Sequence, residues 1–203
     1  PVKIVTSAEG GAAVTNRADL AEKMLLLRSH GITRDEKLMT QDMDGPWYYQ
    51  QIALGFNYRM TELQAALGLS QMQRLEAFVI KRHELASRYD NLLQDLPITL
   101  PWQHPDSYSA RHLYVIRLQL EQINTTHLDV FNALRAAGIQ ANLHYIPVHM
   151  QPYYQKMGFA SGQFPEAEKY YKEAISIPLF SAMTEGQQDT VCSTLKTILS
   201  KES

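Results

Sequence analysis

Cysteine is the scarcest residue in this chain of 203 residues, where it occurs once, as Cys192. A single cysteine excludes an internal disulfide framework and a cysteine-rich metal site. Because Cys192 falls in the apolar rhythm of a predicted C-terminal helix, we interpret it as a small core residue. The lack of a disulfide framework favours the cytoplasm as the compartment.

Excess basic charge and long apolar runs are also missing. The formal net charge is −2, and no dense Lys/Arg stretch occurs, which argues against a nucleic-acid surface. No apolar run approaches the roughly 20 residues of a membrane span, and no signal-peptide pattern opens the chain. The patterns G-x-S-x-G, G-x-G-x-x-G and G-x-x-x-x-G-K-[ST] are absent, so no serine-hydrolase, dinucleotide or P-loop site is predicted.

The composition that remains is that of an ordinary globular protein, with 45% hydrophobic and 20% charged residues. This length fits one large domain or two small ones. Pro97 and Pro101 interrupt the helical pattern and open a stretch rich in Pro, Ser and Asp. We therefore predict a first domain over residues 1–95, ending in a long bridging helix, and a small α+β domain over 96–203.

Periodicity predicts most of the secondary structure. Apolar spacing and capping residues predict helices over about 17–29, 61–93, 126–137, 165–174 and 184–199. The first, second and last of them are capped by Asn16, Thr61 and Thr184, and the second is long enough to contain a break or bend. Alternation predicts strands over about 113–120, 139–145 and 175–179. The polar stretch over 33–51 is predicted to be a loop, and it ends in three aromatic residues, Trp47, Tyr48 and Tyr49. The loop is either functional or held to the core by these rings.

The first sixteen residues place Lys3 beside a β-branched run. Two extended segments joined by Gly10-Gly11, which can supply positive φ angles, predict a hairpin-like turn. A lysine with apolar neighbours on a strand can be desolvated, and its neutral amine is then available for Schiff-base chemistry. The alternative is an ordinary solvated lysine, and this segment alone leaves both open.

Two further segments carry polar groups suited to binding. Asn57 and Arg59 lie just before a predicted helix, where free backbone N–H groups attract anions, so we expect either a phosphate site or simple helix capping. The segment LHYIPVHMQPYY combines imidazoles and phenols that could hydrogen-bond a sugar or stack on a ring, or could form a purely structural loop. Its candidate ligands are His144, Tyr145, His149 and Tyr153. The spacing of its histidines does not predict a metal site.

Three motifs in one order resemble the sugar-nucleotide aminotransferases of the DegT/DnrJ/EryC/StrS family. The family pattern H-P-x-K-x-x-T-x-G-E-G-G appears as PVKIVTSAEGG over 1–11, R-x-H-G as RSHG over 28–31, and L-G-x-N-x-R-M as LGFNYRM over 54–60, with AALG following. The resemblance runs from end to end of the chain. The GPWYY loop and HYIPVHMQPYY further resemble the subgroup that aminates a UDP-linked 4-keto-6-deoxy hexose in pseudaminic acid biosynthesis.

The resemblance implies an α/β protein, the C-terminal part of an aspartate-aminotransferase-like (fold type I) enzyme that uses pyridoxal 5′-phosphate. The end of the large domain would be followed by a small α+β domain. Lys3 would bind the cofactor covalently and move protons, while Asn57 would reach the cofactor phosphate of a neighbouring subunit, with Arg59 close to that shared site. His144 and Tyr145 would line the sugar-nucleotide pocket together with His149 and Tyr153, and glutamate would donate the amino group.

Two departures from the family pattern shape what we expect. Ala8 stands where the family usually has glycine, and the chain begins at the lysine, whereas most of the family's large domain precedes it. A cytoplasmic homodimer with shared active sites, joined near Ala65, Ala66 and Gly68, is implied for the whole enzyme, and an inactive fragment for this chain alone. The alternative is a non-catalytic partner-binding or dimerisation module of the same fold. A sugar dehydratase relative would carry histidine in place of Lys3.

Overall fold

The computed structural model describes residues 3–200. Contacts divide the chain into two compact units, Pro1–Arg74 and Leu75–Ser203. The two units are described separately.

The first unit contains two helices and a short two-stranded sheet. Its elements are α1 (Ala18–Leu27), β1 (Ile32–Thr33), a 3₁₀ turn (Glu36–Leu38), β2 (Gln50–Gln51) and α2 (Glu62–Met72), with β1 and β2 antiparallel. Helix α2 begins at its predicted cap, because Thr61 Oγ1 accepts from the Gln64 N–H while the Gln64 side chain reaches back to the Thr61 backbone. The N-cap of α1 is Arg17, one residue after the predicted Asn16.

Of the three aromatic rings in the polar loop between β1 and β2, two are exposed and one is half-buried. Trp47 is 68% exposed and Tyr49 is 52% exposed. Tyr48 is half-buried, and its hydroxyl accepts a hydrogen bond from Gln50 Nε2 at 3.1 Å. Tyr48 therefore holds the loop through hydrogen bonding, while the Tyr49 ring lies 6.0 Å from the Arg34 guanidinium carbon.

The hairpin predicted for the first sixteen residues is wrong over the part that the structure describes, since residues 3–16 form no strand. The reversal occurs at Ala8, whose φ is +65°, and neither Gly10 nor Gly11 has a positive φ. The segment is fastened by a side chain rather than by strand pairing: Gln64 Nε2 donates to the Glu9 carbonyl at 2.7 Å. Pro1 and Val2 lie outside the described residues.

Ala8→Gly should stabilise the first unit by about 1 kcal/mol, because glycine adopts a left-handed φ without the Cβ clash that alanine suffers. Urea unfolding of the first unit measures the change. The matched control is Ala13→Gly, at an exposed position without a positive φ, where we expect no stabilisation. Equal effects at both positions would contradict the assignment of strain to Ala8.

The second unit is built on an antiparallel sheet in the order β3-β4-β5. Its strands are β3 (Ile98–Thr99), β4 (Tyr114–Leu118) and β5 (Ala174–Ile177). Its helices are α3 (Leu75–Leu93), α4 (His127–Ala136), α5 (Pro152–Gln155), α6 (Pro165–Glu173) and α7 (Glu185–Leu199), with 3₁₀ turns at Leu120–Gln122 and Val148–Met150. In register, Ile116 faces Ile175 and Tyr114 faces Ile177.

The core of the second unit lies between this sheet and the helices. Helices α3 and α4 both contact α7. The rings of Tyr89 and Tyr114 lie 4.9 Å apart, and the Tyr89 hydroxyl donates to the Pro178 carbonyl at 2.9 Å. Burial raises the pKa of both tyrosines and raises that of the Cys192 thiol to about 11. Cys192 is a buried free thiol, as predicted.

Two strand predictions in this unit are wrong. Residues 139–145 form a single isolated bridge, Asn142 to Ser176, instead of a strand. The ladder stops there because the Asn142 side-chain oxygen accepts the Leu143 N–H at 2.8 Å and removes it from strand pairing. Conversely, the Pro-, Ser- and Asp-rich stretch, in which no strand is predicted, contains β3. This strand is only two residues long, which is too short to show alternation in the sequence.

The predicted long helix is divided into two helices: α2 ends at Met72 and α3 begins at Leu75. By packing, α3 belongs to the second unit, because its buried face includes Leu85, Tyr89 and Leu93. The contact boundary therefore precedes α3, whereas the predicted boundary at 95/96 follows it. The assignment of residues 1–95 to the end of a large domain stays a prediction.

Candidate functional site

The lysine segment packs on the start of α2. A Cβ added to Gly10 would lie 2.5 Å from Ser7 Oγ and 2.8 Å from Met60 Cε, so a larger residue there would have to displace these side-chain ends. A Cβ added to Gly68 would lie 3.5 Å from the Ser7 Cβ. This is an ordinary van der Waals distance, so Gly68 faces this segment of the same chain without a clash. Lys3 itself is exposed.

The Asn57 segment packs on the end of α1. Phe56 N–H donates to the Leu27 carbonyl at 2.7 Å, and Tyr58 N–H donates to the Arg28 carbonyl at 2.9 Å. Asn57 forms an isolated bridge with Ser29 between these bonds. The RSHG and LGFNYRM motifs therefore form one local structure.

Two glycines allow this close approach. A Cβ on Gly31 would lie 1.9 Å from the Ala53 carbonyl oxygen, and a Cβ on Gly55 would lie 2.3 Å from the Gly31 nitrogen. Gly31 also has a φ of +70°. The RSHG and LGFNYRM motifs contain these two glycines, but the sequence did not indicate that they pack against each other.

Asn57 and Arg59 are exposed and immediately precede the cap of α2. The alternative that they cap the helix is not what the structure shows, since Thr61 and Gln64 do so. An amide and a guanidinium are suited to hydrogen-bonding a phosphate. The first unit thus carries an exposed amine, amide and guanidinium in its three motif segments, and whether they bind a cofactor stays a prediction.

In the second unit, the predicted sugar-binding segment divides into exposed and buried members. Tyr145 is 69% exposed and Tyr153 is 65% exposed. His144 is half-buried, with its ring edge-to-face with Tyr145 at 4.6 Å and its Nδ1 2.7 Å from Ser176 Oγ. The ligand-binding role of these three side chains stays a prediction.

His149 is instead part of a buried hydrogen-bonded pair with Glu168. It is 8% exposed, and its Nε2 lies 2.9 Å from Glu168 Oε1. Glu168 also accepts from the Gly162 N–H at 2.6 Å and from the Ser161 hydroxyl at 3.0 Å. The hydrogen bond with His149, followed by that from Gly162, lowers the pKa of Glu168 to about 2. Any contact between His149 and a substrate would have to use Nδ1, and nothing in the sequence marked Glu168 as its partner.

An apolar cavity of about 350 Å³ lies beside this pair. Its lining is almost entirely carbon: Pro147, Val148, His149, Tyr154, Phe159, Phe164 and Ala167. A nucleobase requires polar partners for its edges, which this lining does not provide. The cavity therefore does not suit the base of a sugar nucleotide.

Acidification should destabilise the second unit through Glu168. Because its pKa is lowered from 4.5 to about 2 on folding, the carboxylate contributes stability that is present above pH 4.5 and is lost as the pH falls towards 2. We expect Glu168→Gln to lower the Tm at pH 6 and to flatten the dependence of Tm on pH between 5 and 2.

Thermal unfolding at a series of pH values measures this effect. The control is Glu166→Gln, which replaces an exposed carboxylate on the same helix and should leave the pH dependence as in the parent chain. A Glu168→Gln variant with the parental pH dependence would contradict the assignment.

Residues 3–200 contain neither a cluster of metal ligands nor a membrane-spanning helix. No three His, Cys, Asp or Glu side chains there are grouped so that they could hold a metal ion. In the same range, no helix has the length and apolar character needed to cross a membrane.

Comparison with known proteins places these features in a family. A family model described as the DegT/DnrJ/EryC1/StrS aminotransferase family matches residues 1–196. The spore coat polysaccharide biosynthesis protein SpsC of Bacillus subtilis is 35% identical over 200 residues, which are 97% of this chain and 51% of that protein. The UDP-4-amino-4,6-dideoxy-N-acetyl-β-L-altrosamine transaminase of Helicobacter pylori is also 35% identical, over 97% of this chain and 50% of that protein.

Solved structures show the same fold. Helicobacter pylori PseC, an aminotransferase of pseudaminic acid biosynthesis, matches with a TM-score of 0.82 and 31% identity over 97% of this chain and 50% of that one. The PLP form of the sugar aminotransferase Spr1654 from Streptococcus pneumoniae matches with a TM-score of 0.76 and 26% identity, over 93% and 45%. The chain thus spans about half the length of the curated relatives it matches, and the predicted fold class is confirmed.

Proposed function

The chain belongs to the DegT/DnrJ/EryC1/StrS aminotransferase family, and on this premise we propose that it serves a pyridoxal-phosphate-dependent amino transfer. The amino group would pass from glutamate to a UDP-linked 4-keto-6-deoxy sugar, a precursor of pseudaminic acid or a related surface glycan. The choice of sugar is supported by the names of relatives that match nearly the whole chain.

One observation carries the proposal. Within the first unit, the Lys3 segment packs on the start of α2 through Gly10 and Met60, directly beyond the exposed Asn57 and Arg59. The structure thus gathers into one unit the three motifs that carry the family resemblance. An amine, an amide and a guanidinium are the groups required to hold an aldehyde and a phosphate.

The side chains have distinct roles in this proposal. Pyridoxal phosphate, when bound, supplies the electron sink for amino transfer. The Lys3 Nζ holds the cofactor and gives or takes a proton beside the reacting carbon. Asn57 and Arg59 hold the phosphate, with Asn57 serving the neighbouring subunit of a homodimer.

The second unit would bind the sugar nucleotide. His144 and Tyr145 would contact the substrate, with Tyr153 and the remaining ring nitrogen of His149 nearby in the same segment. The exposed phenols of Tyr145 and Tyr153 support this role, because a phenol both donates and accepts hydrogen bonds with sugar hydroxyls. We place the enzyme in the cytoplasm, where the Cys192 thiol would remain reduced.

Transfer of ¹⁵N tests the function directly. The complete gene product, incubated with pyridoxal phosphate, ¹⁵N-glutamate and a UDP-4-keto-6-deoxy-N-acetylhexose, should yield the ¹⁵N-labelled 4-amino sugar nucleotide by mass spectrometry. Absence of label from the sugar, in a preparation that binds the cofactor, would overturn the proposed reaction.

Asn57→Ala should weaken the binding of pyridoxal phosphate about tenfold, since a hydrogen bond to a charged group contributes more than a neutral one. Fluorescence titration of the complete gene product with the cofactor measures the Kd. Asn91→Ala, an exposed substitution on α3, serves as the control and should leave the Kd unchanged. Equal Kd values for the two variants would show that Asn57 does not bind the cofactor phosphate.

The second candidate, a non-catalytic partner-binding or dimerisation module, has its own supporting observation. Helices α1 and α2 have no buried residue, and Leu63 and Leu69 of α2 are 85% and 65% exposed. Such apolar surface is typical of an interface. The module would bind its partner without forming a covalent cofactor adduct on Lys3, and this separates the two candidates.

A further inference from the structure

Ser176 is a buried hydroxyl in an otherwise apolar strand. All four residues of β5 are buried, and Ser176 is 4% exposed. Its backbone is fixed on both sides, by register with Val115 on β4 and by two hydrogen bonds with Asn142, at 2.7 and 3.0 Å. The position of the hydroxyl is therefore set by the sheet.

The hydroxyl meets His144. Ser176 Oγ lies 2.7 Å from His144 Nδ1, a normal length for a hydrogen bond that involves a hydroxyl. If Nδ1 were the donor, the Ser176 proton would need a second acceptor in a buried strand, and a buried donor left unsatisfied is costly. Within residues 3–200, the Ser176 hydroxyl has one hydrogen-bond partner, which is His144. The hydroxyl is therefore best satisfied as the donor.

A donating hydroxyl decides which nitrogen of the imidazole carries the proton. When Nδ1 accepts, the neutral ring carries its proton on Nε2. The Nε2–H then becomes a hydrogen-bond donor at the edge of the half-buried ring, beside the exposed Tyr145.

We propose that Ser176 is a positioning residue that holds His144 in the Nε2–H tautomer, so that this nitrogen donates to an oxygen of the sugar nucleotide. The donor role rests on the proposed function, whereas the tautomer does not. A sugar hydroxyl and a diphosphate oxygen are both acceptors of the required kind.

The tautomer can be read by long-range ¹H–¹⁵N NMR of ¹⁵N-histidine in the 203-residue chain. His127 is an internal reference, since its Nε2 lies 2.9 Å from the Ala174 carbonyl and must donate to it. We expect His144 to show an unprotonated Nδ1 and a protonated Nε2, as His127 does. Ser176→Ala should turn His144 into a mixture of tautomers with His127 unchanged, and Ser176→Thr should restore the parental pattern.

Protonated Nδ1 in the parent chain, or an unchanged His144 spectrum in Ser176→Ala, would overturn the tautomer assignment. If Ser176→Ala fails to fold, the His127 signals report it. The tautomer assignment is then tested by the spectra of the parent chain and of Ser176→Thr, both of which should show a protonated Nε2.

The donor role is tested by calorimetric titration of the complete gene product with a UDP-4-amino-4,6-dideoxy-N-acetylhexose. Ser176→Ala should weaken binding about five- to tenfold and Ser176→Thr less than about twofold, since one oriented hydrogen bond is at stake. Parental affinity in Ser176→Ala, with the expected NMR result, would overturn the donor role and leave the aminotransferase proposal intact. Failure of the parent protein to bind this sugar nucleotide would overturn the donor role together with the proposed substrate, and the tautomer would stand on the NMR result.

Discussion

Lys3→Ala in the complete gene product is expected to lower kcat for amino transfer by a factor on the order of a thousand or more. The reason is that one amine both holds the cofactor and moves the proton, so its removal eliminates covalent attachment and general acid–base catalysis together. Lys3→Arg should be nearly as inactive, because a guanidinium keeps the charge but does not supply a neutral amine. Steady-state formation of the 4-amino sugar nucleotide measures both variants.

Lys23→Ala is the matched control. Lys23 is an exposed lysine on α1 of the same unit, and its removal should leave kcat within about twofold. A Lys3→Ala enzyme with turnover close to that of Lys23→Ala would mean that Lys3 takes no part in the chemistry.

Arg82→Met is expected to destabilise the second unit by roughly 3–5 kcal/mol. Arg82 is 8% exposed, and its Nη1 donates to the carbonyls of Arg111, His112 and Leu179 at 3.1, 3.1 and 2.9 Å. Burial lowers the pKa of this guanidinium. One side chain thus joins α3 to the entrance of β4 and to the segment after β5, and methionine would leave three carbonyls without their donor.

Urea unfolding of the 203-residue chain measures the loss. The control Arg135→Met removes a more exposed guanidinium on α4 that bonds Gln140 at 2.8 Å, and it should cost less than about 1 kcal/mol. Equal midpoints for the two variants would show that the carbonyls bound by Arg82 are satisfied without it.

Local signals in the sequence were sufficient for most helices. Thr61 and Thr184 were predicted as caps, and both accept the N–H of the residue three positions later, Gln64 and Gln187. Pro165 begins α6 as predicted. Such signals work because a cap satisfies a backbone group within one turn of the chain, whatever the rest of the fold does.

Signals that depend on distant partners were not sufficient. The strand predicted over residues 139–145 had the right composition, but the Asn142 side chain takes the next N–H and stops the ladder. The turn expected at Gly10-Gly11 lies at Ala8. A glycine permits a positive φ without requiring one, so its position alone does not predict where the chain turns.

In the candidate site, too, the sequence indicated single residues but not their distant partners. Composition and motif singled out Lys3, Asn57, Arg59 and His144, and the predicted substrate or cofactor roles of all four stay predictions. The partners of the histidines were not foreseeable, because Ser176 lies 32 residues from His144 and Glu168 lies 19 residues from His149. These pairs depend on the packing of β5 and α6 in the second unit.

The most direct test of the account is to locate the cofactor adduct. The complete gene product is loaded with pyridoxal phosphate, reduced with borohydride, digested and mapped by mass spectrometry, with the Lys3→Ala variant treated in parallel. We expect one reduced pyridoxyl group, on Lys3, which is absent from the variant. An adduct on a different lysine, or none on Lys3 in the parent protein, would contradict it.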